Sequence, residues 1–404
     1  MRIALFPDEY LPECTRVHGK MFHELALEFI RQGHEVVVIT PGKPNQSTRL
    51  CVDFFEGVEV WRFRNGQTRG VGKVFRAINE TLLSVNAWLA VKSKLEERSF
   101  DACINYSPTI FFGPLMRKLK RKYGCFNYLI LRDMFPQWAI DEGLISDKSP
   151  ITSYFRFFEK LNYKASDTIG LMSDANVEYF NRLHPGYKNL KVLRNWADTN
   201  PYSSINLTLN IRERFNLQNK VIYFYGGNIG HAQDMSNLLR LVCAMKEHTK
   251  AHFLFVGQGD EVELVLQEQK DKNLTNLTFI PSVSQDEYKQ LLTQVDVGLF
   301  SLARSHQAHN FPGKLLGYMV QSLPILGSVN PGNDLIKFIN DESSGFAYVN
   351  GEDEQLLSSA MYLLQNEPER HRIGCNAKQV LINHFSVESA VNHLLNEIQN
   401  GLTR

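Results

Sequence analysis

Short apolar runs bounded by glycine, proline or acidic residues alternate along this chain with longer stretches whose apolar positions recur every three or four residues. The first run, Arg2 to Phe6, stops at Pro7. Val17 to Gln32 then places Met21, Phe22, Leu25, Ala26, Phe29 and Ile30 on helical spacing, Gly33 ends it, and Glu35 to Thr40 reads as a buried strand. That is one βαβ unit. The alternation continues with a strand over Gly57 to Phe63, a long amphipathic helix over Gly72 to Glu97, and strand, helix, strand over Ala102 to Tyr106, Ile110 to Lys122 and Asn127 to Leu131. A loop at Pro136 and Trp138, a helix over Tyr154 to Asp167 and a strand over Thr168 to Met172 follow. Polar, turn-rich residues from Val192 to Phe215 then interrupt the pattern.

A second series starts at Val221 to Tyr225. Strands over Phe253 to Val256, Thr278 to Ile280, Val297 to Phe300, Pro324 to Leu326 and Phe346 to Val349 alternate with helices over Met235 to Met245 and near Glu261, Gln285, Lys314 and Glu354. A last amphipathic helix, Phe385 to Gln399, opens with Ser386 as N-cap. The expected class is α/β with two Rossmann-like domains and parallel sheets. The first is expected over 1–200, the second over 201–384, with the helix 385–400 packing back on the first.

Composition narrows the class. At 404 residues the chain exceeds one core. A formal charge of +1 with 22% charged residues gives no net drive toward nucleic acid. Six scattered cysteines form no C-x-x-C pair and read as buried free thiols of a reducing compartment. The N-terminus lacks the apolar core of a signal peptide, and no uncharged apolar run approaches the ~20 residues of a membrane span. A soluble, cytoplasmic protein is expected.

Candidate chemistry gathers in loops that such folds place at the C-terminal ends of parallel strands. In HNFPGKLLGYM (His309 to Met319), Pro312 and Gly313 open a helix, and Lys314 adds a full charge to its start. That suits a phosphate or diphosphate. G-G-N-I-G (Gly226, Gly227, Asn228 to Gly230) departs from the dinucleotide fingerprint, and Gly257 and Gly259 stand where its acidic residue would be, so a nicotinamide or flavin dehydrogenase is disfavoured. The first strand-to-helix loop offers Arg16, His18, Gly19 and Lys20, and Arg132 with Asp133 stands just past another strand. His306 and His309 lie in a loop, and no metal spacing is found. Arg117, Lys118, Lys120, Arg121 and Lys122 crowd one helix, which reads as the solvated face of a core-packed helix or as a site where Leu115, Met116 and Leu119 dip into an anionic lipid surface; the aromatic residues from Tyr154 to Tyr163 read as core or lipid contacts.

The order of GHEVVVIT, RDMFP, RNWAD, GGNIG, FVGQGD, VDVGLF, FPGKLLGYMVQSLPI, GFAYV and FSVESA resembles the retaining family-four glycosyltransferases of the GT-B fold, over nearly the whole chain. It is most similar to bacterial UDP-sugar transferases of O-antigen and capsule assembly, and closest to those that transfer N-acetyl-L-fucosamine. The resemblance implies metal-independent, front-face transfer with no cofactor. The partners it implies are a UDP-sugar held by the second domain, an amino sugar on undecaprenyl diphosphate facing the first, and the cytoplasmic surface of an anionic inner membrane. Gly257 to Gly259 and Pro281 to Val283 would pin the base, with Gly226, Gly227, Asn228, Pro312, Gly313, Lys314 and Leu315 around the donor.

This chain departs from the family at its most marked residues. The paired glutamates map onto His309 and Gly317, the Arg and Lys after the first strand of the second half onto Asn228 and Gln233, and the first-loop glycines onto Arg16, Val17 and His18. The diphosphate would then rest on Lys314, with Arg16, Arg304 and Arg132 in reserve, and Asp133, Glu9 or His18 would orient the acceptor. An inactive UDP-binding scaffold and a nucleotide-sugar 2-epimerase are the alternatives.

Overall fold

A computed structural model describes residues 1–12, 17–43, 45–68, 71–107, 109–141, 143–203, 209–305 and 311–403, with positions 17 and 73 described by backbone alone. Two compact units emerge, one of Met1–Trp196 with Val387–Arg404 and one of Ala197–Ser386.

Among the described residues of the first unit eight strands form one sheet: β1 (Arg2–Phe6), β2 (Glu35–Pro41), β3 (Leu50–Phe55), β4 (Val58–Phe63), β5 (Ala102–Ser107), β6 (Phe126–Leu131), β7 (Thr168–Leu171) and β8 (Leu190–Val192). Their order is β3-β4-β2-β1-β5-β6-β7-β8, parallel except for the antiparallel β3–β4 pair. The strands β1 and β6 are buried along their whole length, as sheets covered on both faces require. The last helix, Val387–Leu402, buries Ala390, Val391, Leu394 and Ile398 in the same core as Ile3, Leu5 and Tyr128.

Several details differ from the expectation. The strand β3 was not foreseen, because its central residues are exposed and its ladder with β4 holds it rather than burial. The loop at Pro136 and Trp138 contains a short helix, Gln137–Asp141. A further helix, Asp174–Leu183, is capped by Ser173, whose side chain accepts from the Asn176 N–H. The long helix is two, Lys73–Thr81 and Leu83–Glu97, joined at Leu82. The basic helix is Gly113–Tyr123, ended by Gly124 at φ +70. Its Leu115, Met116 and Leu119 are all buried, so these apolar residues pack on the sheet and do not reach outward. Tyr163 is buried as well, while Phe157 of that helix is exposed.

Among the described residues the second unit holds six strands, all parallel: β9 (Val221–Asn228), β10 (Ala251–Gln258), β11 (Leu277–Pro281), β12 (Val297–Ser301), β13 (Ile325–Val329) and β14 (Gly345–Val349), in the order β11-β10-β9-β12-β13-β14. The order reverses between β9 and β12, the position where open α/β sheets leave a crevice at their strand ends. Helix Glu367–Phe385 continues to Ser386, whose extended angles break it before the last helix begins.

Candidate functional site

At the β9 end of the second unit, Gly226 is held from below: its N–H donates to the Tyr318 hydroxyl at 3.4 Å, and that hydroxyl donates to the Leu299 carbonyl at 3.0 Å. A Cβ on Gly226 would fall 2.5 Å from the Tyr288 ring, so side chains pack up to this backbone. Gly227 follows with φ +121, a conformation that favours glycine, and both it and Asn228 are exposed. Across the sheet, Gly257 pairs with Gly227 so closely that a Cβ would stand 1.8 Å from the Gly227 carbonyl oxygen. Gly259 likewise admits the Ile229 carbonyl. These two glycines are therefore explained by strand packing that shapes the turn.

Lys314 comes to this turn from the other side of the crevice. Its helix, Lys314–Val320, follows β12, and strand order alone brings it beside β9. Its Nζ stands 3.5 Å from the centre of the Tyr225 ring and 3.7 Å from where a Cβ on Gly227 would be. Part of the side chain remains accessible, but the ammonium itself is buried and finds no hydrogen-bond partner among the described residues. Burial pulls its pKa from the ordinary 10.5 down to about 7. The Tyr225 ring face supplies some attraction, and its hydroxyl is occupied, donating to the Asn228 carbonyl.

The two positions at which the resemblance leaves a charge missing satisfy one another: Asn228 Nδ2 donates to Gln233 Oε1 at 2.6 Å. Gly313 is exposed with nothing near its missing side chain, Pro312 accepts from the Leu315 N–H at 3.0 Å, and Leu315 is fully buried in the core, so its side chain is not available to a ligand. Arg304 is exposed and donates to the Asn350 carbonyl at 3.2 Å, which ties it to the end of β14. At Gly317 an added Cβ would meet Leu292 Cδ1 at 3.1 Å and the Tyr202 hydroxyl at 4.0 Å. Gln258 accepts from the Ser282 hydroxyl at 3.0 Å, which links the GQG turn to the Pro281–Val283 segment.

The first unit gathers its own polar group past the ends of β1, β5 and β6, which are neighbours in the sheet. His18 Nε2 lies 3.3 Å from Asp8 Oδ1, and its ring stacks on Tyr106 at 5.6 Å between centroids. Gly19 is buried in the first turn of the helix Val17–Arg31 and is not part of an open loop. Arg132 donates through Nη2 to the Arg194 carbonyl at 3.3 Å, while Nη1 is buried with no partner among the described residues. Burial lowers its pKa to about 10. Asp133 does not pair with it directly. Its side chain keeps solvent contact, yet partial shielding raises its carboxyl, opposed by the charge of Arg132 and reinforced by that of Asp8. Burial raises Tyr106 in the same way.

Arg16 and His309 lie outside the described residues, as do Cys14 and His306. Asp8, Tyr106 and Tyr225 were not singled out in the sequence. Asp8 gave the one legible signal, a carboxylate directly after a buried strand; the two tyrosines sit inside apolar runs and look like core. Among the described residues no group of three or more His, Cys, Asp or Glu is placed to hold a metal ion, and no helix is long and apolar enough to cross a membrane.

Comparison with known proteins bears on both units. Residues 18–196 match the family described as glycosyl transferase 4-like domain, and residues 208–380 match glycosyl transferases group 1. The putative colanic acid biosynthesis glycosyl transferase WcaI of Escherichia coli (strain K12) is 25% identical over 334 residues, covering 78% of this chain and 80% of that protein. Among solved structures, Anabaena Alr3699/HepE in complex with UDP and glucose aligns with a TM-score of 0.61 at 14% identity, covering 99% of this chain and 100% of the other. WaaG, a glycosyltransferase involved in lipopolysaccharide biosynthesis, aligns with a TM-score of 0.58 at 14% identity, covering 98% and 99%.

Proposed function

Because the chain is a GT-B glycosyltransferase whose halves are a 4-like and a group 1 domain, we propose that it moves a sugar from a UDP donor to a lipid-diphosphate-linked amino sugar without a metal ion. N-acetyl-L-fucosamine or a related amino or deoxy sugar is the group transferred, with retention, in O-antigen or capsule assembly at the cytoplasmic face of a membrane. The observation that carries the reading is Lys314: an ammonium buried without an acceptor among the described residues, set against an exposed glycine turn at the crevice of the second sheet. A buried charge is costly unless paired, and a diphosphate supplies both the charge and the acceptors. The UDP in the HepE complexes and the colanic acid biosynthesis in the WcaI name support the donor and the pathway class.

In this mechanism the bond from the anomeric carbon to the β-phosphate oxygen breaks while the acceptor oxygen bonds the same face. The acceptor's proton passes to the departing phosphate. Lys314 stabilises the negative charge that grows on that phosphate, in a site where water is partly excluded. The acceptor is assigned to the first unit, whose own polar group of His18, Asp8 and Asp133 would orient its hydroxyl. Thermal-shift titration with UDP, GDP, ADP and CMP, with and without chelator, tests the reading. UDP is expected to raise the melting temperature selectively and chelator to change nothing; equal shifts from all four nucleotides would remove it. A chain that binds UDP but turns over no UDP-sugar on any lipid-diphosphate acceptor would instead be an inactive scaffold, and one that releases free UDP from donor alone would be a 2-epimerase.

The lysine also sets a pH dependence. Free Lys314 titrates at about 7, and a bound diphosphate raises that value by favouring the ammonium. Binding therefore takes up a proton between the two values. UDP affinity is expected to be full just below pH 7 and to fall as pH rises above it, by up to about tenfold per unit; below about pH 6 protonation of the nucleotide's terminal phosphate opposes it. Calorimetry in buffers of different ionisation enthalpy would detect the proton uptake, and an affinity flat from pH 7 to 9 would show that the ammonium does not meet the phosphate.

A further inference from the structure

The helices Lys73–Thr81 and Leu83–Glu97 carry an apolar stripe that nothing covers among the described residues. Val74, Phe75, Ile78, Leu82, Val85 and Leu89 are all exposed, Val74 at 70% and Phe75 at 67%. The junction does not break the helical phase: Leu82 has φ −78 and ψ −7, its N–H donates to Ile78, and the Asn86 N–H donates to Leu82. At ~100° per residue the six side chains fall within an arc of about 100°. The opposite face buries Leu83, Ala87, Val91 and Leu95 in the core. Soluble helices seldom present apolar residues on both sides, and a continuous exposed strip of this kind marks an interaction surface.

Charge identifies the partner. Trp88, beside the stripe, lies under two lysines of the adjoining helix Gly113–Tyr123, with Lys118 Nζ at 4.2 Å and Lys122 Nζ at 5.4 Å from its ring centre. That helix carries five basic residues and no acidic one, and Arg117, Lys118, Arg121 and Lys122 are exposed. Lys92 adds a further exposed cation on the stripe's own helix. Protein interfaces favour arginine and are depleted in lysine, whereas the cations set against Trp88 are both lysines. An apolar strip bordered by indole and lysines matches instead the boundary of an anionic bilayer, where acyl chains take the strip and phosphates take the ammoniums.

We infer that the Val74–Leu89 stripe, flanked by Trp88, Lys118 and Lys122, lies in the surface of an anionic membrane and docks the first unit there. The same pair of helices borders the polar group already described, since Glu80 stands close enough to Asp8 to feel its charge. A docked stripe thus puts that group near the plane in which a lipid-linked sugar is presented. The lipid-linked acceptor proposed above gives this placement its use, but the surface itself rests on exposure and charge alone.

The test uses the full chain and vesicles of phosphatidylcholine alone or mixed with phosphatidylglycerol, with cosedimentation as the readout and UDP binding measured in parallel. The native chain is expected to bind the anionic vesicles, less so at high salt, and to leave the neutral ones in solution. Phe75→Asp with Val85→Asp should lower binding by about tenfold or more, and Lys118→Glu with Lys122→Glu should weaken it and flatten the salt dependence. Both pairs change exposed side chains, so melting temperature and UDP affinity should stay as in the native chain. Absence of vesicle binding, or binding untouched by Phe75→Asp with Val85→Asp, overturns the inference. So does a dimer by light scattering that the same pair converts to monomer, because a second copy would then be the occupant. Loss of UDP selectivity would sink the donor reading and leave this one standing.

Discussion

Replacing Lys314 by methionine is expected to stabilise the free protein and to weaken UDP binding in the same variant. Methionine keeps the length and apolar stem that pack over Tyr225 and removes an ammonium that is buried without an acceptor among the described residues. Exchange of a buried charge for an apolar group of similar volume is commonly stabilising by about 1–3 kcal/mol. The gain should depend on pH with a definite sign. Unfolded, the lysine titrates near its ordinary 10.5; folded, at about 7. Between these values the unfolded chain holds more protons, so the native protein becomes more stable as pH rises across that window, whereas Lys314→Met does not show this rise. The UDP side runs the other way. Loss of a charge-assisted contact should weaken binding by about tenfold to a hundredfold. A lysine kept for packing or a hidden ion pair predicts the reverse pattern, with stability lost and UDP affinity preserved. Denaturant melts at two pH values with UDP titrations on both proteins separate the cases.

This opposition between stability and binding is the physical signature of a site. Folded proteins do not leave cations buried and unpaired at random, and sites that do so hold strain or desolvation that a ligand relieves. Arg132 repeats the motif in the first unit, where Nη1 is buried and unpaired among the described residues. Neither condition could be seen in the sequence, because burial of a charged tip depends on what distant segments place around it.

What was legible follows the same line. Strands such as Glu35–Pro41 and Ala102–Ser107 were visible because burial on both faces demands uninterrupted apolar residues. The strand Leu50–Phe55 was not, since its ladder with Val58–Phe63 stabilises it while its side chains stay in water. Helix Asp174–Leu183 did carry a signal, Ser173 before an acidic first turn, that a reading by apolar spacing passes over. The basic helix admits two readings for a simple reason: Leu115, Met116 and Leu119 alternate with cations at a spacing that suits a membrane face and a core face equally. Only the sheet beneath decides, and it takes those residues for the core, while the exposed apolar stripe lies on the helices next to it. The neighbourhood of Lys314 and Gly227 was hidden for a related reason. They are far apart in the chain, and they meet because the strand order sets Val221–Asn228 beside Val297–Ser301.

Gly257→Ala is expected to be among the most damaging single changes in the second unit, although nothing about position 257 requires a glycine backbone conformation. The demand is for space. In the register of the Val221–Asn228 and Ala251–Gln258 strands, Gly257 faces Gly227, and the added methyl would stand 1.8 Å from the Gly227 carbonyl oxygen. The clashing atom belongs to the backbone and not to the end of a flexible side chain, so the cost belongs at the upper end of overpacking, about 3 kcal/mol. For a unit of this size that lowers the melting temperature by roughly 6–12 °C. Relief must come from shifting the Gly227 turn or its partner strand, and Lys314 Nζ lies 3.7 Å from where a Cβ on Gly227 would be, so UDP affinity should fall with stability even though alanine touches no ligand. Gly313→Ala is the control. It is the N-cap of the helix Lys314–Val320, with helical angles of φ −56 and ψ −26 and, among the described residues, no atom within 4 Å of an added methyl, so its stability should be unchanged or higher by about 0.5 kcal/mol. If the two alanine variants melt together and bind UDP alike, the close approach of the two strands is not what shapes the turn, and the lysine's position would have to be explained without it.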